Sequence, residues 1–175
     1  KCVASVYENT DRAYELFLID DCSTDERIAA FLTDLAAQEK PANLKKLHII
    51  RNEENLGFIK SVNKAMALGQ NHVVLLNTDT EVPPGWLGRL ARPVLENNKV
   101  ASVTPFFFFF TICSFPNFCE DNELPEGMSV AEVDAVFAAY GGSRLLELPT
   151  GVGFCMLLNR TCLTELGTFD VVYGK

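Results

Sequence analysis

Short, almost wholly apolar runs alternate along this chain with longer stretches whose apolar residues recur every three or four positions. Residues 14–19 (Tyr-Glu-Leu-Phe-Leu-Ile) form one such run, ending in Asp20-Asp21, and read as a buried strand. Ser23-Thr24-Asp25 then offers a cap, and Ile28, Phe31, Leu32 and Leu35 mark a helix that Lys40-Pro41 ends. Residues 47–50 predict a second strand, followed by the polar turn 51–57. Phe58, Val62, Ala65, Met66 and Leu68 have helical spacing, with Gly69 where a helix C-cap is expected. Residues 73–76 predict a third strand, stopping abruptly at Asn77-Thr78-Asp79-Thr80. Pro83-Pro84-Gly85 turns the chain into a helix over 86–95, and residues 100–104 predict a fourth strand. Short apolar strands alternating with helices imply an α/β class, a mostly parallel sheet with helices on both faces.

The rest is less regular. Residues 111–128 read as loop, and a helix is expected over about 130–140, closed by Gly141-Gly142. An apolar strand follows over 154–158, then a short helix over 159–166 and the turn Gly167-Thr168-Phe169-Asp170. Residues 2–9 read as the end of a helix, so the chain is expected to begin partway through a longer protein. The five consecutive phenylalanines 106–110 fit neither a two-faced strand nor a solvated loop, and no role is assigned to them.

With 175 residues the chain is long enough for one ordinary core, and 48% apolar with 22% charged residues is a globular balance. The net charge of -8 argues against charge-driven nucleic-acid binding, which needs Lys and Arg against phosphates. A phosphate-bearing small ligand remains compatible, because a divalent cation can mediate between carboxylates and a diphosphate. None of the six cysteines forms a Cys-x-x-Cys pair or has His at zinc-ligand spacing, so reduced thiols are expected. No signal-peptide pattern is visible and no apolar run approaches the ~20 residues of a membrane span. A cytoplasmic setting, with at most peripheral membrane contact, is expected.

In an open parallel sheet, ligands bind beyond the carboxyl ends of the strands. Two predicted strands end there in acids, Asp20-Asp21 and Asp79. Unpaired acids facing one crevice would repel each other unless a cation such as Mg²⁺ or Mn²⁺ compensated. His48, inside a strand, reads as a packed histidine, His72 as surface, and Trp86 as a core residue at a helix start. Glu120, Asp121, Glu123 and Glu126 read as a solvated loop.

Taken together, these segments resemble the inverting family 2 glycosyltransferases, which have the GT-A (Rossmann-like) fold. Leu18-Ile19-Asp20-Asp21-Cys22-Ser23-Thr24-Asp25 is similar to their Asp-Asp-x-Ser-x-Asp segment, and residues 51–57 to the next strand end with its Asn-x-Gly loop. Residues 76–82, followed by Pro84 and Trp86-Leu87, are similar to the Asp-x-Asp metal motif and the helix after it. Residues 151–158 and 166–170 are similar to the acceptor-side strand and its Gly-Gly-Phe-Asp turn.

The resemblance implies a single domain: a donor half over 1–105 lacking its first strand, then a variable insert and the start of the acceptor-side half over 106–175. It implies nucleotide binding by Asp20, Asp21, Asn55, Gly57 and Asn77, with Asp21 on the base, uracil foremost. Asp79 would bind the Mg²⁺ or Mn²⁺ that bridges the diphosphate, and Asp170 would lie on the acceptor side. Asn77 departs from the motif, whose first position is Asp. Lys60 and Asn63 are further polar residues on the helix after Gly57. The family's base would come beyond Lys175, so no catalytic base is named and the stretch is expected to bind donor without turning over alone. The implied reaction moves a sugar, with inversion, from a nucleoside diphosphate, UDP foremost, to a saccharide or lipid-linked acceptor in cell-surface polysaccharide synthesis. A non-catalytic nucleotide-sugar-binding or scaffold domain of the same fold is the main alternative. A phosphorelay receiver domain fits less well, lacking a Lys at a later strand end, and a nucleotidyltransferase would want a Gly-rich basic loop.

Overall fold

A computed structural model describes residues 1–108, 112–140 and 145–174. The chain forms two compact units, one from Lys1–Asp11 with Val74–Asn159, the other from Arg12–Val73 with Arg160–Lys175. The functional boundary expected at residue 105 falls inside the first of these. The mixture of helices with parallel strands is the α/β class that the alternating pattern implied.

In the second unit, β1 (Tyr14–Asp20) pairs in parallel with β2 (Leu44–Arg51), from Tyr14 against Leu44 to Asp20 against Arg51. Parallel neighbours need a crossover of a dozen or more residues. Helix α2 (Glu26–Ala37) supplies it, its first turn capped by the Asp25 carboxylate, which accepts from the Arg27 amide at 2.9 Å. Of the four apolar residues that marked this helix, Leu35 is 3% exposed while Phe31 is 49% exposed and Ile28 also faces solvent. Helix α3 (Gly57–Leu68) follows β2 and packs against β1. Gly69 stands at its end as expected, yet with extended backbone (φ -94°, ψ 158°), not the left-handed cap. The Arg160 guanidinium instead donates to the Met66 carbonyl near that end (3.2 Å). His48 is a packed histidine: it stacks on Phe17 with ring centres 4.0 Å apart and meets Glu15 at 2.8 Å. Helix α6 (Arg160–Leu166) and a 3-10 turn (Val171–Tyr173) complete this unit.

The first unit opens with α1 (Cys2–Asn9). It contains a three-stranded sheet in the order β3 (Val73–Leu76), β5 (Cys155–Leu158), β4 (Ser102–Val103), in which β4 and β5 run antiparallel. Helix α4 (Trp86–Glu96) lays Trp86, Leu90 and Val94, each four residues apart, into a core with Cys155 and Leu157. Trp86 is thus a core residue, its indole N–H donating to the Thr10 hydroxyl at 3.0 Å. Helix α5 (Val130–Tyr140) occupies the predicted span, and Ser129 with Glu132 forms the reciprocal cap at its start. The glycines expected to close it lie outside the described residues. In the insert, Phe107 stacks on Phe154 (3.8 Å) and Phe106 meets Phe137 (5.8 Å), so these two phenylalanines pack on other aromatics. Phe109 and Phe110 lie outside the described residues. An apolar groove of about 350 Å³, lined in part by Phe115, Met128, Phe137 and Tyr140, runs along α5.

The six cysteines are thiols outside any disulfide. Among the described residues no helix is long and apolar enough to cross a membrane. Leu157, 1% exposed at the centre of the first unit's core, sets a test of this packing. Leu157→Ala is expected to lower stability by about 2–5 kcal/mol, read as a shift in a urea unfolding curve with unchanged slope. A change below about 0.5 kcal/mol would contradict the core described.

Candidate functional site

The acids at the end of β1 are held by donors of their own chain. The Asp20 side chain is only 1% exposed. One of its oxygens accepts from the Ser23 amide at 2.8 Å, and the other is paired with the Arg51 guanidinium from the facing end of β2. Arg51 also donates to the Ser23 carbonyl (2.9 Å), closing the loop over Asp20. These hydrogen bonds, those from Ser23 first and Arg51 after them, hold the Asp20 carboxyl below the ordinary carboxylate range against the opposing effect of burial.

Asp21, the residue after β1, is half-buried and has partners different from those of Asp20. One oxygen accepts from the Asn52 side-chain amide (2.8 Å) and the Leu56 backbone amide (2.8 Å), the other from the Gly57 amide (2.8 Å). Asp21 therefore caps the start of α3, and an anionic group at that end of a helix is stabilised by its dipole. The Asn52 side chain, then the Leu56 amide, with Ser61 and the Gly57 amide contributing less, hold this carboxyl below its usual range. Gly57, at φ +76°, adopts the left-handed backbone that a side chain would strain. Its amide is shared with the Asn55 side chain at 3.2 Å. Asp21, Asn55 and Gly57 are thus brought together by direct bonds. A pocket of about 570 Å³ is lined by residues 22–26, Ala29 and Arg51, the partner of Asp20.

Two further residues of the same unit, Asn63 and Asp170, bond the backbone of the turn after α6. Asn63 makes a pair of bonds to the backbone of Phe169, donating to its carbonyl at 2.7 Å and accepting from its amide at 3.0 Å. It thereby ties the turn that precedes Asp170 to α3. Asp170 itself caps the 3-10 turn, accepting from the Val172 amide at 3.0 Å. Lys60 is exposed.

Asn77 and Asp79 belong to the first unit, in the turn after β3. The Asn77 amide donates to the Phe154 carbonyl (2.9 Å), and the Thr80 amide closes the turn on the Asn77 carbonyl (3.1 Å). Helix α1 fastens the segment beyond: the Val82 amide donates to the Ser5 hydroxyl (3.1 Å), and Asn9 donates to the Val82 carbonyl (2.8 Å). Cys2 reaches the Asn77 carbonyl with its thiol, and burial pushes that thiol up. Asn77 and Asp79 are exposed, and no described residue donates a hydrogen bond to the Asp79 carboxylate.

The acids thus differ in kind. Asp20 pairs with the Arg51 guanidinium, and Asp21 is held by amide donors of its own chain. Among the described residues there is no group of three or more His, Cys, Asp or Glu side chains that could hold a metal. A closed protein cage is therefore not what Asp79 belongs to. An exposed carboxylate two residues after an exposed Asn is compatible with a magnesium-type ion, which takes one or two carboxylates and fills its remaining positions with water and substrate phosphate.

Asn52, Ser61 and Lys64 were not foreseen. Asn52 is 1% exposed and bonds Asp21, Ser61 (2.9 Å) and Lys64 (2.9 Å) at once. The signal was present in part: Gly57, Ser61 and Lys64, four and three residues apart, share one face of α3.

The family model described as "Glycosyl transferase family 2" matches residues 1–167. No curated protein matches the chain.

Because Asp20 and Asp21 both ionise more readily in the folded chain, the unfolded chain binds more protons between the lowered values and the ordinary ~3.9. Their contribution is complete above about pH 4 and is lost as pH falls through the lowered values. Melts of the wild type across pH 2–7 are expected to show that acid loss. Asp21→Asn should melt lower at pH 7 and depend less on pH below 4; parallel curves would contradict the assignment.

Proposed function

The chain belongs to glycosyl transferase family 2, and on that premise we propose that it binds a nucleoside-diphosphate sugar, UDP-linked foremost, as donor for transfer to a saccharide or lipid-linked acceptor. Glycosyl transfer is the general activity of the family. The finer reading is transfer with inversion in cell-surface polysaccharide synthesis.

The observation that carries the donor reading is the contrast between a fixed, ionised Asp21 and an open Asp79. In the second unit, Asp21 would accept a base N–H on the side of its carboxylate that remains half-exposed. The Asn55-Leu56-Gly57 turn would lie along the nucleoside, where the absence of a side chain on Gly57 lets backbone and ligand approach closely. Asp20 is enclosed, so its part is indirect: it holds Arg51 and Ser23 in place beside the pocket. In the first unit, Asp79 and the Asn77 amide oxygen would hold a Mg²⁺ or Mn²⁺ shared with the diphosphate. Such an ion supplies charge neutralisation for the departing nucleoside diphosphate. Asp170, on the turn that Asn63 fastens, is proposed for the acceptor side. No described residue is assigned the role of general base.

Calorimetric titration with UDP, with and without Mn²⁺, tests this reading on the wild type and Asp79→Ala, alongside circular dichroism melts. Metal-dependent binding in the wild type is expected, weakened at least about tenfold in the variant, or ~1.4 kcal/mol. A folded wild type that ignores UDP, TDP and GDP with metal present would overturn the reading. Equal metal-dependent binding by Asp79→Ala would remove Asp79 from it.

A further inference from the structure

Asn52 stands one residue beyond β2 and is among the most completely buried side chains of the chain. Burying an amide is costly unless its donors and acceptor are all met. Here they are. Its side-chain nitrogen donates to the Asp21 carboxylate (2.8 Å) and the Ser61 hydroxyl (2.9 Å), and its side-chain oxygen accepts from the Lys64 ammonium (2.9 Å). Its backbone amide donates to the Asp20 carbonyl (2.8 Å).

The chemistry of the two ends fixes the middle. An ammonium only donates and an ionised carboxylate only accepts, so the amide of Asn52 has one orientation that satisfies both. Lys64 thereby acts on Asp21 without touching it. Its positive charge polarises the amide that donates to the carboxylate, and the three groups form an ion pair relayed through Asn52. Lys64 is itself exposed, but its removal leaves the oxygen of buried Asn52 without this donor, so the melts must accompany the titrations.

We propose that Asn52 and Lys64 are positioning residues of the nucleotide subsite, Lys64 orienting Asn52 and Asn52 orienting Asp21 toward a base N–H. This deepens the donor reading and rests on it. Neither residue touches the ligand. Their effect reaches it through one carboxylate, so it is felt at the base and not at the phosphates.

The test compares UDP with its N3-methyl analogue, which lacks the base N–H, by calorimetry with Mn²⁺ present, on the wild type, Lys64→Met and Lys64→Arg. The wild type is expected to prefer UDP by about tenfold or more, the worth of a hydrogen bond to a charged group. Lys64→Met should weaken UDP several-fold while leaving the analogue nearly unchanged, narrowing the preference, and Lys64→Arg should restore much of it. Melts of each variant accompany the titrations, and Asn52→Leu is added to break the relay at its centre. A merely structural role would lower the melting temperature and weaken both ligands alike. A wild type that discriminates and a folded Lys64→Met that discriminates equally would overturn the proposal while leaving the donor reading intact. A folded wild type that binds neither ligand would overturn the donor reading, and this proposal with it.

Discussion

A single carboxylate joins the pieces of the second unit. Asp21 lies at the end of β1, yet its three donors come from the residue after β2 and from the first turn of α3. Two strand ends and a helix start are thereby held by one charged group. That group is best accommodated where helix amides converge, because the unpaired amides of a helix N-terminus need an acceptor and carry partial positive charge. The left-handed Gly57 is what lets the chain turn sharply enough to aim its amide there.

The two neighbouring acids at this strand end do not repel each other into instability, because each has its own solution. Asp20 turns inward to Arg51 and the Ser23 amide, while Asp21 turns to Asn52 and α3. Only Asp20 meets a cationic side chain directly; Asp21 is held by amides. In the first unit, the turn after β3 follows a different rule. Its backbone is secured by the Phe154 carbonyl and by α1, while its acid is left to solvent. A rigid backbone carrying an unengaged carboxylate is suited to meeting a cation brought with a ligand.

Much of the fold was legible because local signals agreed with one another. Helix α5 occupies the span expected for it, and the Ser129–Glu132 cap marks the same start. The short strands were readable from their apolar runs, although β2 extends to Leu44 through Lys45 and Lys46, which alternation alone did not reveal. Helix α2 shows the limit of apolar spacing: Phe31 and Leu35 follow the same period, yet only Leu35 is buried. Asp21, Asn55 and Gly57 were readable from motif resemblance. Their actual partners were not, since the bonds from Asn52 and Arg51 span 31 residues and depend on strand register. Asn63, a polar residue on the helix after Gly57, bonds a backbone 106 residues away, a partner the sequence did not reveal. Hydrogen-bond geometry of that kind is set by the tertiary fold and leaves only a faint trace, such as the shared face of Gly57, Ser61 and Lys64.

The most direct test of the central claim is photolabelling of the chain by a 5-azido-uridine diphosphate sugar with Mn²⁺ present, followed by mapping of the labelled peptide. The account predicts label within residues 18–27 or 51–57, around the Asp21 carboxylate, suppressed by excess UDP. Label confined to the insert over 106–140, or label that excess UDP does not suppress, would contradict it.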